Sequence, residues 1–119
     1  MEPLVRAGLL FDFYGGLLTE KQRRVMELYF LEDWSLAEIA AETGVSRQAV
    51  HDLIHRSERL MEEYEAKLGL MRRFLGQQEE LRATSRKLAV LIKKNEAKAD
   101  FWRELTGIKA TIDQLLEKE

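Results

Sequence analysis

Two histidines four residues apart, His51 and His55 in the run HDLIH, and a cluster of cations at Lys21, Arg23 and Arg24 are the residues whose types and spacing could do chemistry in this 119-residue chain. Imidazoles at i and i+4 lie on one helix face, and that spacing can bind zinc. A metalloprotease motif would place glutamate after the first histidine, where this chain has Asp52, and a third ligand would have to come from Glu58, Glu62 or elsewhere. The match is poor, and no metal site is expected. There is no glycine-rich phosphate loop, no nucleophile elbow and no paired carboxylates suited to acid-base work, while serines and threonines fall at helix caps and on exposed faces. Neither an enzyme nor a cofactor is expected.

The same histidines read differently as part of a helix that meets nucleic acid. At 100° per residue, Gln48, Asp52, His55 and Arg59, flanked by His51, form the side turned away from Val50, Leu53 and Ser57. Arg47, at the first helical position, can reach a base edge or a phosphate, and the helix N-terminus itself favours an anion there. Arg56 has Asp52 four residues before it as a candidate partner. Lys21, Arg23 and Arg24 sit in the first turns of another helix, the wrong end of its dipole for cations. Either an approaching phosphate or a plain solvated face would explain them.

These residues need two short helices joined by a tight turn, and the stretch Ser35–Arg56 supplies them. Ser35 with Glu38 three residues later is a capping box, so a helix begins there. Gly44 falls where the chain must leave it with positive φ, so the helix ends at Thr43. Val45 plugs the turn, and Ser46 caps a second helix whose Val50, Leu53 and Ile54 share one face. Ala40 at the crossing and Gly44 in the turn allow the near-perpendicular arrangement that lets a second helix enter a major groove about 12 Å wide. The bland alternative is a helical hairpin that binds nothing.

Upstream, Leu4–Leu18 places Leu9, Leu10, Phe13, Tyr14 and Leu17 on one side of a packing helix that Gly15-Gly16 loosens or ends. Thr19 and Gln22 form a second capping box, opening a helix with a Val25, Met26, Tyr29, Phe30 stripe. Trp34 is expected to cover a seam between helices. Downstream, the stripe continues through Leu60, Met61, Tyr64 and Leu68 to a break at Gly69. Beyond it Leu75, Leu81, Leu88, Leu91 and Ile92 recur at helical spacing, and Phe101, Leu105, Ile108, Ile112 and Leu115 make a narrow seam. The expected organisation is a helix-turn-helix domain over residues 1–68 and a helical extension over 69–119. The extension's apolar faces need a partner, and a homodimer would also suit paired DNA half-sites.

With a single proline the class is all-α, and the absence of cysteine excludes disulfides and thiolate metal sites and suits a reducing compartment. Arg6 and Asp12 interrupt the apolar N-terminal stretch, which reads as neither signal peptide nor membrane span; a cytoplasmic protein is expected. Residues 1–70 carry 8 Lys/Arg against 13 Asp/Glu, a net −5, whereas residues 71–119 carry 11 against 8, a net +3. Phosphate neutralisation supplies nearly all non-specific DNA affinity, so the acidic first half must concentrate its cations or bind weakly. Arg82, Arg86, Lys87, Lys93, Lys94 and Lys98 form a basic run in the second half.

Residues 11–68, with the stretches FDFY, LLTEKQR, SLAEIA, VSRQAV and YEAKL, resemble the YlxM-like family of small bacterial proteins. That family is similar in turn to the promoter-reading region 4 of sigma-70 factors. The resemblance implies an all-α, sigma region 4-like helix-turn-helix, duplex DNA as partner, and a regulatory link to the signal recognition particle pathway suggested by gene neighbourhood. By motif it carries Ser46, Arg47, Gln48 and His51 to the reading end; the family often has tyrosine at the position of His51. Past Leu68 the similarity is weak. The leading function is a non-enzymatic DNA-binding regulator. The alternative is an adaptor that uses the same helices to bind protein or RNA in the secretion-targeting apparatus.

Overall fold

A computed structural model describes residues 1–117; residues 118 and 119, the end of the expected extension, lie outside the described residues. The fold is all-α, with six helices and no strand among the described residues: α1 (Pro3–Tyr14), α2 (Glu20–Phe30), α3 (Leu36–Thr43), α4 (Arg47–Leu68), α5 (Leu70–Lys94) and α6 (Ala99–Glu117). The chain divides into two compact units, the first Met1–Met71 and the second from Arg72 onward.

In the first unit α4 is the central post, packed against α1, α2 and α3, with α2 also against α3. Its Val50, Ile54, Ser57 and Met61 are buried, one per helical turn. They meet Leu10, Phe11 and Tyr14 of α1, Val25, Met26 and Leu28 of α2 and Ile39 of α3 in one core. Both expected capping boxes form: Thr19 Oγ1 accepts from the Gln22 amide while Gln22 Oε1 accepts from Thr19, and Ser35 and Glu38 repeat the arrangement.

The face of α1 differs from the expected one. Ala7, Leu10, Phe11 and Tyr14 are buried, while Leu17 is 55% exposed. The helix stops at Tyr14 and the chain tightens into a 3₁₀ turn over Gly15–Leu17, which turns Leu17 outward and Leu18 inward. A Cβ on Gly15 would lie 2.8 Å from the Phe11 ring, so this close turn requires glycine. Trp34, the expected lid, is half-buried, and its amide donates to Leu28 O at 2.9 Å. Asp33 before it adopts φ 56°, a left-handed geometry that aspartate tolerates better than most residues.

The second unit is organised by polar contacts as much as apolar ones. Along α5 beyond Met71 the buried positions are Gln78 and Ser85, not the leucines of the expected stripe; Leu91 is exposed. Ser85 donates to Asp113 Oδ1 at 2.7 Å, which ties α5 to α6, and within α6 Lys109 donates to Asp113 Oδ2 at 2.7 Å. Those two bonds hold the Asp113 carboxyl below the usual range, Lys109 most strongly. On α6 Leu105 is buried, but Phe101, Ile108 and Leu115 are exposed. No helix among the described residues is long and apolar enough to cross a membrane.

Candidate nucleic-acid interface

The turn between α3 and α4 is built by short-range bonds. Gly44 has φ 73°, and its amide donates to Ala40 O at 3.0 Å, closing the last turn of α3. Nothing lies within 4 Å of where a Cβ would stand, so glycine is needed there for its backbone angle rather than for space. Two residues later Ser46 Oγ accepts from the Ala49 amide at 3.0 Å, and α4 starts. The Ser46 side chain is thereby occupied in capping, which leaves Arg47 and Gln48 to lead the helix into solvent.

Arg47, Gln48, His51, Asp52, His55 and Arg59 are all exposed, as the wheel geometry requires. They are not independent of one another. Asp52 Oδ1 accepts from Gln48 Nε2 at 3.0 Å and lies 3.5 Å from His51 Nδ1, in place of the expected pairing with Arg56. These contacts, Gln48 first and His51 next, pull the Asp52 carboxyl below its usual range, so it is anionic at neutral pH. Four residues is one turn, and the shorter Gln48 amide reaches Asp52 from the N-terminal side without the extension a guanidinium would need. The His51 and His55 rings lie 4.2 Å apart, tilted by 55°. No group of three His, Cys, Asp or Glu side chains suited to a metal ion occurs among the described residues.

Toward the C-terminal half of this face, α1 stands alongside α4. Pro3, Arg6 and Ala7 on one side and His51, His55, Glu58 and Arg59 on the other border a cleft of about 430 Å³. Arg6 closes it by donating Nε and Nη2 to the two oxygens of Glu62, at 2.6 and 2.8 Å. The bidentate bond holds Glu62 below the usual carboxylate range, while partial burial pushes Glu58 up. The open stretch of α4 is therefore within its first two turns, at Arg47, Gln48 and Asp52, with His51, His55 and Arg59 on the border with α1. Neither Arg6 nor this border was legible from helical spacing; the pair is separated by 56 positions.

Lys21, Arg23 and Arg24 are exposed on α2, with Glu20 and Glu27 beside them. Arg23 Nε lies 3.9 Å from Glu27 Oε1, a loose contact with both side chains solvated.

Deeper, a buried cluster that the sequence reading missed fixes the end of α4. Tyr14 Oη donates to Glu65 Oε1 at 2.6 Å and accepts from the Leu70 amide at 3.2 Å, and Glu65 Oε1 also accepts from the Met71 amide at 2.9 Å. Burial, and the bond to Glu65, push the Tyr14 hydroxyl up, so it stays a donor. The only available signal was a glutamate, Glu65, on the apolar stripe between Met61 and Leu68.

Comparison with known proteins agrees with this architecture. Residues 1–101 match the family described as "Putative helix-turn-helix protein, YlxM / p13 like". A UPF0122 protein of Symbiobacterium thermophilum is 59% identical over 71 residues, covering 60% of this chain and 66% of that protein. A UPF0122 protein of Halalkalibacterium halodurans is 57% identical over 74 residues, 62% of this chain and 68% of its own length. One from Geobacillus kaustophilus is 54% identical over 74 residues, with 62% and 67% covered. The match thus spans about two thirds of each relative.

Proposed function

We propose, from the premise that the chain belongs to this YlxM / p13-like helix-turn-helix family, that it binds duplex DNA as a non-enzymatic regulator through the first two turns of α4. The observation that carries this reading is the solvent-facing start of α4, where Arg47, Gln48, His51 and Asp52 stand free of the core beyond a left-handed Gly44 turn. In this reading Arg47 reaches a guanine edge or a phosphate, and Gln48 reads a base. Asp52 adds no affinity, since it repels phosphate. It accepts from a cytosine amino group and rejects other bases. Lys21, Arg23 and Arg24 hold the flanking backbone, and His55 and Arg59 contribute only where α1 leaves room. The unit Met1–Met71 reads DNA, and the unit beyond it takes part in pairing two copies, so that two α4 helices meet two half-sites. A regulatory role in the signal recognition particle pathway rests on the family resemblance alone, and a cytoplasmic location on the cysteine-free composition and the charges that interrupt the N-terminal apolar stretch.

The test is a fluorescence-anisotropy titration of full-length protein against a duplex selected from random sequence and against a scrambled duplex, at several salt concentrations. About three to six phosphate contacts per subunit give a log–log salt slope of roughly −3 to −5 per subunit. Arg23→Ala is expected to weaken both duplexes alike and to flatten the slope by about one unit. If wild type binds neither duplex better than about 10⁻⁴ M, DNA is not the ligand. The adaptor reading, favoured by the net −5 of residues 1–70, then takes its place.

A further inference from the structure

A second groove lies on the first unit between α1 and the end of α2. Leu4, Val5 and Leu9 form one wall, Tyr29, Phe30 and Leu31 the other, and the space between is about 480 Å³. Leu4, Val5 and Leu31 are 64%, 53% and 67% exposed, a concentration of bare aliphatic side chains that a soluble helical unit does not need for its own core. The charged side chains lining the groove, Asp12 and Asp33, are both acidic. Gly8 lines it too, and a Cβ there would meet nothing within 4 Å.

The complementary surface is on α5. Lys87, Val90, Leu91 and Lys94 follow an i, i+3, i+4, i+7 pattern and therefore share one face. All four are exposed, Val90 at 53% and Leu91 at 44%. None of Asp12, Asp33, Lys87 and Lys94 takes part in an ion pair among the described residues. The other exposed apolar stripe, Phe101, Ile108 and Leu115 on α6, carries Glu104 on the same face and would bring like charge to an acidic rim.

We infer that the groove between α1 and α2 is a docking site for the Lys87–Lys94 face of α5 from a second copy of this chain, with Val90 and Leu91 against Leu4, Val5 and Leu31 and the lysines against Asp12 and Asp33. This is helix-in-groove recognition, in which apolar anchors give affinity and rim charges give register. It rests on the pairing of copies proposed above and names the surfaces that make it.

Light scattering on full-length protein at micromolar concentration tests it with two variants. Gly8→Lys/Asp12→Lys puts cations into the groove, and the glycine replacement favours the helix. Lys87→Glu/Lys94→Glu reverses the α5 face. Each variant alone is expected to self-associate at least about tenfold more weakly than wild type, since like charges then oppose one another. An equimolar mixture of the two is expected to regain double the monomer mass, because the reversed charges complement each other between copies. Restoration by mixing also separates lost docking from lost folding, since an unfolded variant would not restore anything. A monomeric wild type overturns both this inference and the pairing of copies. A dimeric wild type with two equally dimeric variants overturns the groove alone, and loss of that dimer in Ile108→Glu would then assign the interface to α6. Two weakened variants that stay monomeric when mixed also overturn it.

Discussion

Two helices in the first unit end in the same way and are continued differently. At Gly44 and at Gly69 a glycine with φ of 73° and 62° closes a helix by donating to the carbonyl four residues back, at 3.0 and 2.8 Å. After Gly44 the next helix is started by its own neighbour, Ser46. After Gly69 the chain re-enters a helix at once, and the amides of Leu70 and Met71 are satisfied from a distance, by the Tyr14 hydroxyl and the Glu65 carboxylate. The first turn is self-contained and leaves α4 free to face solvent. The second is locked by a buried polar cluster shared with α1, 56 positions away. A site that presents side chains outward can be built from local bonds, whereas the turn at Gly69 takes its bonds from the core of the first unit.

The comparison breaks most sharply at the distant joint. Glu65→Leu removes the acceptor of both the Tyr14 hydroxyl and the Met71 amide, and leaves two buried donors without partners. We expect a loss of about 3 kcal/mol in urea unfolding, since each buried unsatisfied group costs about 1–3 kcal/mol. Tyr14→Phe takes the acceptor from the part-buried Leu70 amide, whose bond at 3.2 Å is the longest of the three, and leaves the Met71 bond intact, so its cost should be smaller, about 1–2 kcal/mol. Equal costs for the two would mean that the carboxylate is not the centre of the cluster.

At the local turn the corresponding change is Gly44→Val, which forces a β-branched residue into positive φ. About 1–3 kcal/mol is expected. Gln48→Ala, four residues on, should leave the melting temperature unchanged, because the side chain is exposed and its one partner, Asp52, is equally exposed. Matching melting temperatures for these two variants would remove the turn from the account of stability.

Function is expected to divide along the same line. Arg47→Ala should lower affinity for a selected duplex by about 1–3 kcal/mol and relax preference at one base position. Asp52→Asn should do the opposite to a scrambled duplex and bind it more tightly, because an anion held below the usual carboxylate range is removed from the reading face. The same anisotropy titration reads both. An unchanged scrambled-duplex affinity in Asp52→Asn would place that carboxylate away from the phosphates.

What was legible in the sequence follows from range. The capping boxes at Thr19 and Ser35, the left-handed Gly44, the Ser46 cap and the break at Gly69 all act within about four residues, and each stands where spacing placed it. The exposure of Gln48, His51, Asp52, His55 and Arg59 was equally readable, because one periodic helix determines all of them. Spacing could not show that α1 flanks His55 and Arg59, since that depends on a bidentate Arg6–Glu62 pair across the fold. Nor could it show the inner face of α5. A search for apolar periodicity passes over Gln78 and Ser85, and the bond that buries Ser85 is made to Asp113 on another helix. In α1 the buried face runs through Ala7, Leu10, Phe11 and Tyr14 rather than Leu9 and Phe13, and only the exchange of Leu17 for Leu18 follows from the tightening at Gly15.

The smallest effect separates the two kinds of bond by charge alone. The box that opens α3 uses a glutamate, Glu38, while the box that opens α2 does the same work with Gln22. Glu38→Gln should therefore keep the hydrogen bond to the Ser35 amide and lose only the charge. That amide, and then the Ser35 hydroxyl, hold the Glu38 carboxyl below the usual glutamate range. A carboxyl depressed in the folded state contributes stability that is fully present above its unfolded pKa and is lost as pH falls through the folded one. Wild type should thus melt slightly above Glu38→Gln at neutral pH, where the charge also favours the helix N-terminus. The two melting curves should converge as pH drops through and below the carboxylate range. Thr19 and Gln22 supply the internal control, since that box has nothing to titrate. A gap between wild type and Glu38→Gln that stays constant across the acid limb would show that the charge at the start of α3 contributes nothing, and that the hydrogen bond alone begins the helix.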